Sequence, residues 1–208
     1  MPAREYYEER WREVPEGLEP ADLALRSSFL LADVSAGERV LDVGCAEGTF
    51  TAMLAAGGAS VLGIDVAEEP LRRAHAHHPE LDLRLVDGEG SWELEDASFD
   101  VVWAGEVIEH VADTARWLSE VRRVLRPEGR LLLTTPDHGR LRMLRLALSR
   151  RAFSEHFDPS GEHLRFYSRG TLTELLGDFR FREIEVRSAG GSPGARRLLL
   201  ARASRARF

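Results

Sequence analysis

Apolar residues recur at helical spacing over residues 4–13 and 21–33, and in the second segment Leu23, Leu25, Phe29, Leu30 and Leu31 cluster to one side. Pro15, Gly17 and Pro20 separate the two segments. The run Arg39-Val40-Leu41-Asp42-Val43 then predicts a buried strand, and the period changes at Gly44 into a helix from Phe50 to Ala56. Val61 to Asp65 predicts a second strand, Glu69 to His77 a second helix, and Leu83 to Asp87 a third strand. Phe99 to Trp103, a helix from Thr114 to Leu125, and Gly129 to Thr135 continue the alternation until Pro136 ends it.

Strands that alternate with helices imply an α/β, Rossmann-like, doubly wound and mostly parallel sheet with helices on both faces. Beyond Pro136 the pattern gives an Arg-rich, partly helical stretch, a short helix from Thr171 to Leu176, and strands at Arg182–Val186 and Leu198–Ala201. The turn residues Gly190, Gly191, Ser192, Pro193 and Gly194 join those two strands into a C-terminal antiparallel hairpin, which brings the sheet to seven strands. No repeat and no long linker divides the chain, so residues 1–208 are expected to form one domain. Its parts are an N-terminal helical cap (1–34), a core (35–136), a helical lid insertion (137–170), and the last helix and strands (171–208).

Composition adds exclusions. The 43% hydrophobic and 30% charged residues suit a full core, and the formal charge of −7 argues against coating nucleic acid. The sequence has no apolar run of spanning length, no signal-peptide pattern and a single cysteine, Cys45, so a cytoplasmic, membrane-free protein is expected. All 28 basic residues are Arg, and Lys, Asn and Gln are absent. A P-loop lysine, a Schiff-base lysine and any chemistry that needs a carboxamide are therefore excluded.

The strongest chemical signal is Val40 to Phe50, a strand that enters a turn with Gly44 and Gly48 and then a helix whose N–H groups can face a ligand. Asp65 closes the second strand about twenty residues later, where a carboxylate can accept hydrogen bonds from a ribose diol. With these go Val86-Asp87-Gly88, Phe99-Asp100-Val101-Val102 leading to Glu106-Val107-Ile108-Glu109-His110, and Leu125-Arg126-Pro127-Glu128-Gly129-Arg130-Leu131-Leu132. In order and spacing these five segments resemble the class I S-adenosylmethionine-dependent methyltransferases, over most of residues 22–186. The similarity leans toward the small-molecule branch that includes the ubiquinone-pathway O-methyltransferases. Two positions depart from the family pattern, since Ala46 and Glu128 stand where glycine is frequent. Ala46 is expected to be tolerated if its φ is negative.

The resemblance implies S-adenosyl-L-methionine as cofactor, S-adenosyl-L-homocysteine as product, and methyl transfer to a small-molecule acceptor at a hydroxyl oxygen. It implies that Asp42, Gly44, Cys45, Ala46 and Gly48 line the methionine part, that Asp65 and Val66 hold the ribose, and that Asp87 and Gly88 flank the adenine. Gly105 would sit beside the sulfonium, Arg26 would contact the cofactor, and Tyr7, beside Tyr6, would belong to a closing N-terminal segment. Glu106, Glu109 and His110 would share one face if helical, and the resemblance includes branches with and without a metal at such a triplet, so no metal ligand is assigned.

For the general base, His110 and His163 are the assignments, with His138 and His156 as further candidates. Anchoring the lid is the competing role for His163. Arg140, Arg142, Arg145, Arg150 and Arg151 either recognise an anionic acceptor or face water on an amphipathic helix, and the C-terminal arginines are expected to be solvated. A dehydrogenase lacks its lysine, and the motifs of adenine, cytosine and lysine-dependent ribose methyltransferases are missing. The rival functions are a protein or tRNA methyltransferase and a non-catalytic binding protein of the same fold. The oligomer is expected to be a monomer or homodimer.

Overall fold

A computed structural model describes residues 3–88, 92–158, 161–191 and 196–207. In chain order the elements are α1 (Ala3–Glu13), α2 (Leu23–Leu31), β1 (Arg39–Val43), α3 (Thr49–Ala56), β2 (Ser60–Asp65), α4 (Glu68–His77), β3 (Asp82–Leu85) and β4 (Phe99–Gly105). There follow α5 (Thr114–Val124), β5 (Leu125–Pro136), α6 (Arg140–Ala147), α7 (Arg150–His156), α8 (Arg169–Asp178), β6 (Phe181–Ala189) and β7 (Leu198–Arg205). The seven strands form one sheet in the order β3-β2-β1-β4-β5-β7-β6. β7 runs antiparallel to both β5 and β6 and the other pairings are parallel, as the pattern predicts.

Strand alternation divides the core in two. Leu41, Val43, Val102, Ala104, Leu131 and Leu133 point to the face covered by α5 and α8, where Trp117, Leu118, Val121, Leu172 and Leu176 meet them. The intervening Val40, Val101, Trp103 and Leu132 point the other way and meet Leu30, Phe50 and Leu54. Because both faces are covered, the central strands read as nearly unbroken apolar runs.

Several boundaries differ from expectation. β3 stops at Leu85, and the next amide, Val86 N–H, donates to the Asp65 carbonyl at 2.9 Å. β5 begins at Leu125 rather than Gly129, pairing Phe99 with Leu125 before a register shift; Glu128 in this stretch has φ of 67°. The last helix extends to Asp178 from a capping box in which Ser168 and Thr171 satisfy each other's backbone amides. The turn Ser192-Pro193-Gly194 lies outside the described residues.

The expected lid forms two short helices, and neither buries a side chain. Arg140, Arg145, Arg150 and Arg151 are exposed, whereas Arg142 turns inward and donates to the Asp137 carbonyl at 2.8 Å. Of the C-terminal arginines, Arg196, Arg197 and Arg207 are exposed as expected, with Arg197 paired to Asp22 and Arg207 to Glu128, each at 2.8 Å, whereas Arg202 and Arg205 are half-buried and Arg202 pairs with Asp33 at 2.6 Å. Among the described residues no helix is long and apolar enough to cross a membrane.

Candidate active site

A cavity of about 430 Å³ opens at the C-terminal ends of β1, β2 and β4, beneath α1. Sheets of this topology leave such a crevice where the connections from neighbouring strands turn to opposite faces. Its floor is the turn after β1. Gly44 has φ of 70°, and a Cβ there would lie 2.6 Å from Val107 Cγ2, so both the conformation and the close approach require glycine.

Ala46 does not meet the condition of a negative φ, since its φ is 50°. Its amide donates to Asp65 Oδ2 at 2.9 Å, and that bond offsets the strain of a left-handed alanine. Asp65 Oδ1 accepts from Ala67 N–H at 3.0 Å. Asp65 is thus aimed into the cavity at 8% exposure with one backbone donor on each oxygen, and each oxygen keeps acceptor capacity. Burial raises its pKa, opposed by these amide bonds.

Not every implied residue reaches the cavity. Tyr7, Arg26, Gly44, Cys45, Ala46, Asp65, Val66, Gly88, Gly105 and His110 line it; Asp42, Gly48, Asp87 and His163 do not. Asp42 is buried behind the turn, where its Oδ2 accepts from the Thr51 hydroxyl at 2.6 Å and ties α3 to β1. Burial pushes its pKa up to about 7, with the Thr51 bond acting against the shift. Gly48 caps α3 with φ of 80°, and its amide closes the turn on the Cys45 carbonyl at 2.9 Å. Asp87 is exposed. The Cys45 thiol is held well above its ordinary pKa by burial, which makes it an inert wall.

Past β4 the chain makes a second tight approach. Arg26 of α2 is 5% exposed, with its guanidinium carbon 4.7 Å from the Phe50 ring centre. Its Nη1 donates to the Ala21 carbonyl at 3.3 Å, while its Nε is buried without a partner. Burial lowers its pKa and Glu106 opposes the shift. Gly105 lies directly under this side chain, and a Cβ there would fall on Arg26 Nη2 and 2.7 Å from Trp103 Cζ2.

Residues 106–110 form a turn, not a helix, and Glu106 has φ of 59°. Glu106, Glu109 and His110 therefore do not share a helical face. Glu109 is fully buried, its Oε2 accepting from the Thr135 hydroxyl at 2.9 Å, and burial holds its pKa far above the carboxylate range. His110 Nδ1–H donates to the Glu162 carbonyl at 3.1 Å, which leaves Nε2 as the acceptor, 4.0 Å from Glu109 Oε1. Burial lowers the His110 pKa and keeps the ring neutral at pH 7. His163 is exposed, with its ring centre 5.0 Å from that of His110. The ligating atoms of Glu109, His110 and His163 come within 4.8 Å of one another, a different trio from the sequence triplet.

The roof is α1. The Tyr7 hydroxyl donates to the His110 carbonyl at 3.5 Å, and Arg10 pairs with Glu162. Arg73, 6% exposed, donates to the carbonyls of Trp11 at 2.8 Å and Val14 at 2.9 Å, and Glu8 accepts from the amides of Glu68 and Glu69 at the start of α4. Trp11, Trp92 and Glu162 line the cavity without having been anticipated. Trp92 is 5% exposed within an otherwise polar connection, and that isolated aromatic was its only sequence signal.

Residues 41–133 match the family model described as "Methyltransferase domain". Among curated proteins the chain is similar to a ubiquinone biosynthesis O-methyltransferase of Pseudomonas aeruginosa strain LESB58, 39% identical over 104 residues, covering 48% of this chain and 45% of that protein. The chain thus spans about half the length of such relatives. Among solved structures, an S-adenosylmethionine dependent methyltransferase from Mesorhizobium loti matches with a TM-score of 0.70 and 23% identity, over 89% of this chain and 98% of the other. Phosphoethanolamine N-methyltransferase 2 of Haemonchus contortus, solved with S-adenosyl-L-methionine, matches with a TM-score of 0.76 and 19% identity, over 99% of this chain and 60% of the other. At these identities the structural matches speak for the fold.

Proposed function

We propose that this chain, whose residues 41–133 match the methyltransferase domain model and whose fold is shared with S-adenosylmethionine-dependent methyltransferases, transfers a methyl group from S-adenosylmethionine to a hydroxyl oxygen of a small-molecule acceptor. The observation that carries this reading is Asp65, a buried carboxylate pinned by two backbone amides and still open to the cavity. A ribose diol satisfies that acceptor pair. The steric demands at Gly44 and Gly105 and the spare Nε of Arg26 also fit an elongated ligand that ends in a carboxylate.

S-adenosylmethionine, when bound, supplies a methyl carbon already activated by positive sulfur. The protein's task is therefore alignment and proton removal. Of the residues that line the cavity, Asp65 would hold the ribose, Val86, Gly88 and Trp92 would bound the base, and Arg26, beside Gly105, would meet the carboxylate. Tyr7 and Trp11 of α1 cover the cavity and exclude water. His110 Nε2 is the free acceptor at the rim, because Nδ1 is committed to the Glu162 carbonyl. On transfer, the sulfur–methyl bond would break with its electron pair left on sulfur, giving S-adenosylhomocysteine, and His110 Nε2 would hold the proton that the acceptor hydroxyl gives up. The lowered pKa keeps that nitrogen unprotonated at pH 7.

The test begins with isothermal titration of S-adenosylhomocysteine and continues with radiolabelled methyl transfer to matched hydroxyl and amine acceptors. Micromolar binding with transfer to hydroxyls is expected. Absence of binding overturns the cofactor assignment, and transfer to amines alone overturns the oxygen target.

A further inference from the structure

At the opposite end of the strands from the cavity under α1, a second depression of about 280 Å³ lies between the end of α5, the end of α8 and the end of β7. No described residue lines both. Its wall brings together Arg122, Arg123, Arg180 and Arg205, and Asp178 is its only carboxylate among the described residues.

The four guanidinium groups are not equivalent. Arg123 is committed, to Glu120 at 2.9 Å, to Asp96 at 2.6 Å and to the Trp92 carbonyl at 2.9 Å. Arg205 donates through Nη1 to the Arg123 and Leu125 carbonyls and so caps the open end of α5, but its Nε is buried without a partner. Arg122 Nε is likewise buried and unpartnered. Arg122, Arg180 and Arg205 form no ion pair among the described residues. Arg180 has φ of 60° at the turn from α8 into β6.

Complementing the carbonyl ends of α5 and α8 accounts for part of this charge. It does not account for two buried Nε–H groups with no acceptor among the described residues, nor for three cations that form no ion pair among them in a chain of net charge −7. Planar guanidinium forks suit a tetrahedral oxyanion, which accepts from several donors at once. We infer that this depression is a binding site for a compact phosphate dianion, held by Arg122, Arg180 and Arg205. The same chemistry fits free phosphate and the phosphate of a small phosphomonoester.

The experiment is isothermal titration and thermal melting of the full chain with inorganic phosphate and, separately, glycerol 3-phosphate, at ionic strength held constant with chloride. Phosphate is expected to bind with Kd of about 1 mM or tighter and to raise the melting temperature beyond chloride. Arg122→Ala and Arg180→Ala are each expected to weaken binding by about tenfold, the loss of one charge-assisted contact. Arg180 is exposed, so its variant tests the site even if Arg122→Ala unfolds. Asp178→Asn is expected to tighten binding, a response that a purely helix-capping role does not give. Binding of glycerol 3-phosphate alongside phosphate assigns the site to phosphomonoesters, and phosphate alone assigns it to the free ion. No effect beyond chloride, or equal binding by wild type and Arg180→Ala, overturns the inference.

Discussion

Gly105→Ala isolates one contact on which the cavity depends. The backbone of Gly105 is not in the left-handed region, so an alanine there carries no conformational penalty and its effect is steric. Its Cβ would fall on Arg26 Nη2 and lie 2.7 Å from Trp103 Cζ2 and 3.1 Å from Cε2. Trp103 cannot retreat, being 1% exposed and wedged between Phe50 at 5.3 Å and Phe29 at 6.4 Å. The Arg26 guanidinium must therefore move, losing its seat over Phe50. Overpacking costs about 1–3 kcal/mol and a desolvated cation–π contact about 1–2 kcal/mol, so a loss of roughly 2–5 kcal/mol is expected. Urea unfolding reads it as a lower midpoint at unchanged slope. If Arg26 meets the ligand carboxylate as proposed, titration of S-adenosylhomocysteine should show affinity reduced by about tenfold, or 1.4 kcal/mol. Gly177→Ala is the control, since its Cβ meets Ile184 Cδ1 at an ordinary 3.8 Å, and it should stabilise α8 by about 1 kcal/mol. Wild-type stability together with wild-type affinity in Gly105→Ala would refute the packing argument.

Asp65→Ala should weaken S-adenosylhomocysteine by about 1–3 kcal/mol, and Asp65→Asn should retain part of the binding; unchanged titrations for both would remove Asp65 from the site. For a hydroxyl acceptor, the acid limb of kcat/KM should fall below the ordinary histidine range, because burial lowers the His110 pKa, and that limb should vanish in His110→Ala. Burial holds His138 at about 4, below its unfolded value, so the stability it contributes is present above about pH 6.5 and is lost as pH falls toward 4. The loss is on the order of 3 kcal/mol at most, and His138→Phe should flatten the slope of unfolding free energy over that window. Ala46→Gly should stabilise the chain by about 0.5–1 kcal/mol by relieving φ of 50°, and a destabilised variant in chemical denaturation would contradict the strain.

Local chemistry made much of this molecule legible in its sequence. A strand buried on both faces has to be apolar throughout, so β1, β2, β4 and β5 declared themselves, and Gly44 marked the change of period at which the chain turns under the cavity. Asp65 was visible because a carboxylate that ends a buried apolar strand has no packing reason to be there. The sign of φ at Ala46 and Glu106 was not visible, because it depends on bonds to residues far along the chain: Ala46 N–H to Asp65, and Glu106 N–H to the Thr134 carbonyl at 2.9 Å.

The division between wall and support belongs to the tertiary structure. Asp42 and Asp65 are both acids at the ends of neighbouring parallel strands, yet Thr51 draws one behind the turn while two amides aim the other inward. Tyr7, Trp11, Trp92 and Glu162 converge on one cavity from segments that carry no shared period. Arg122, Arg180 and Arg205 likewise meet only because α5, α8 and β7 end together. Periodicity records which face of an element is buried, because burial repeats with the backbone. Which side chains from separate elements share a site is fixed by the packing of those elements, and no local pattern encodes it.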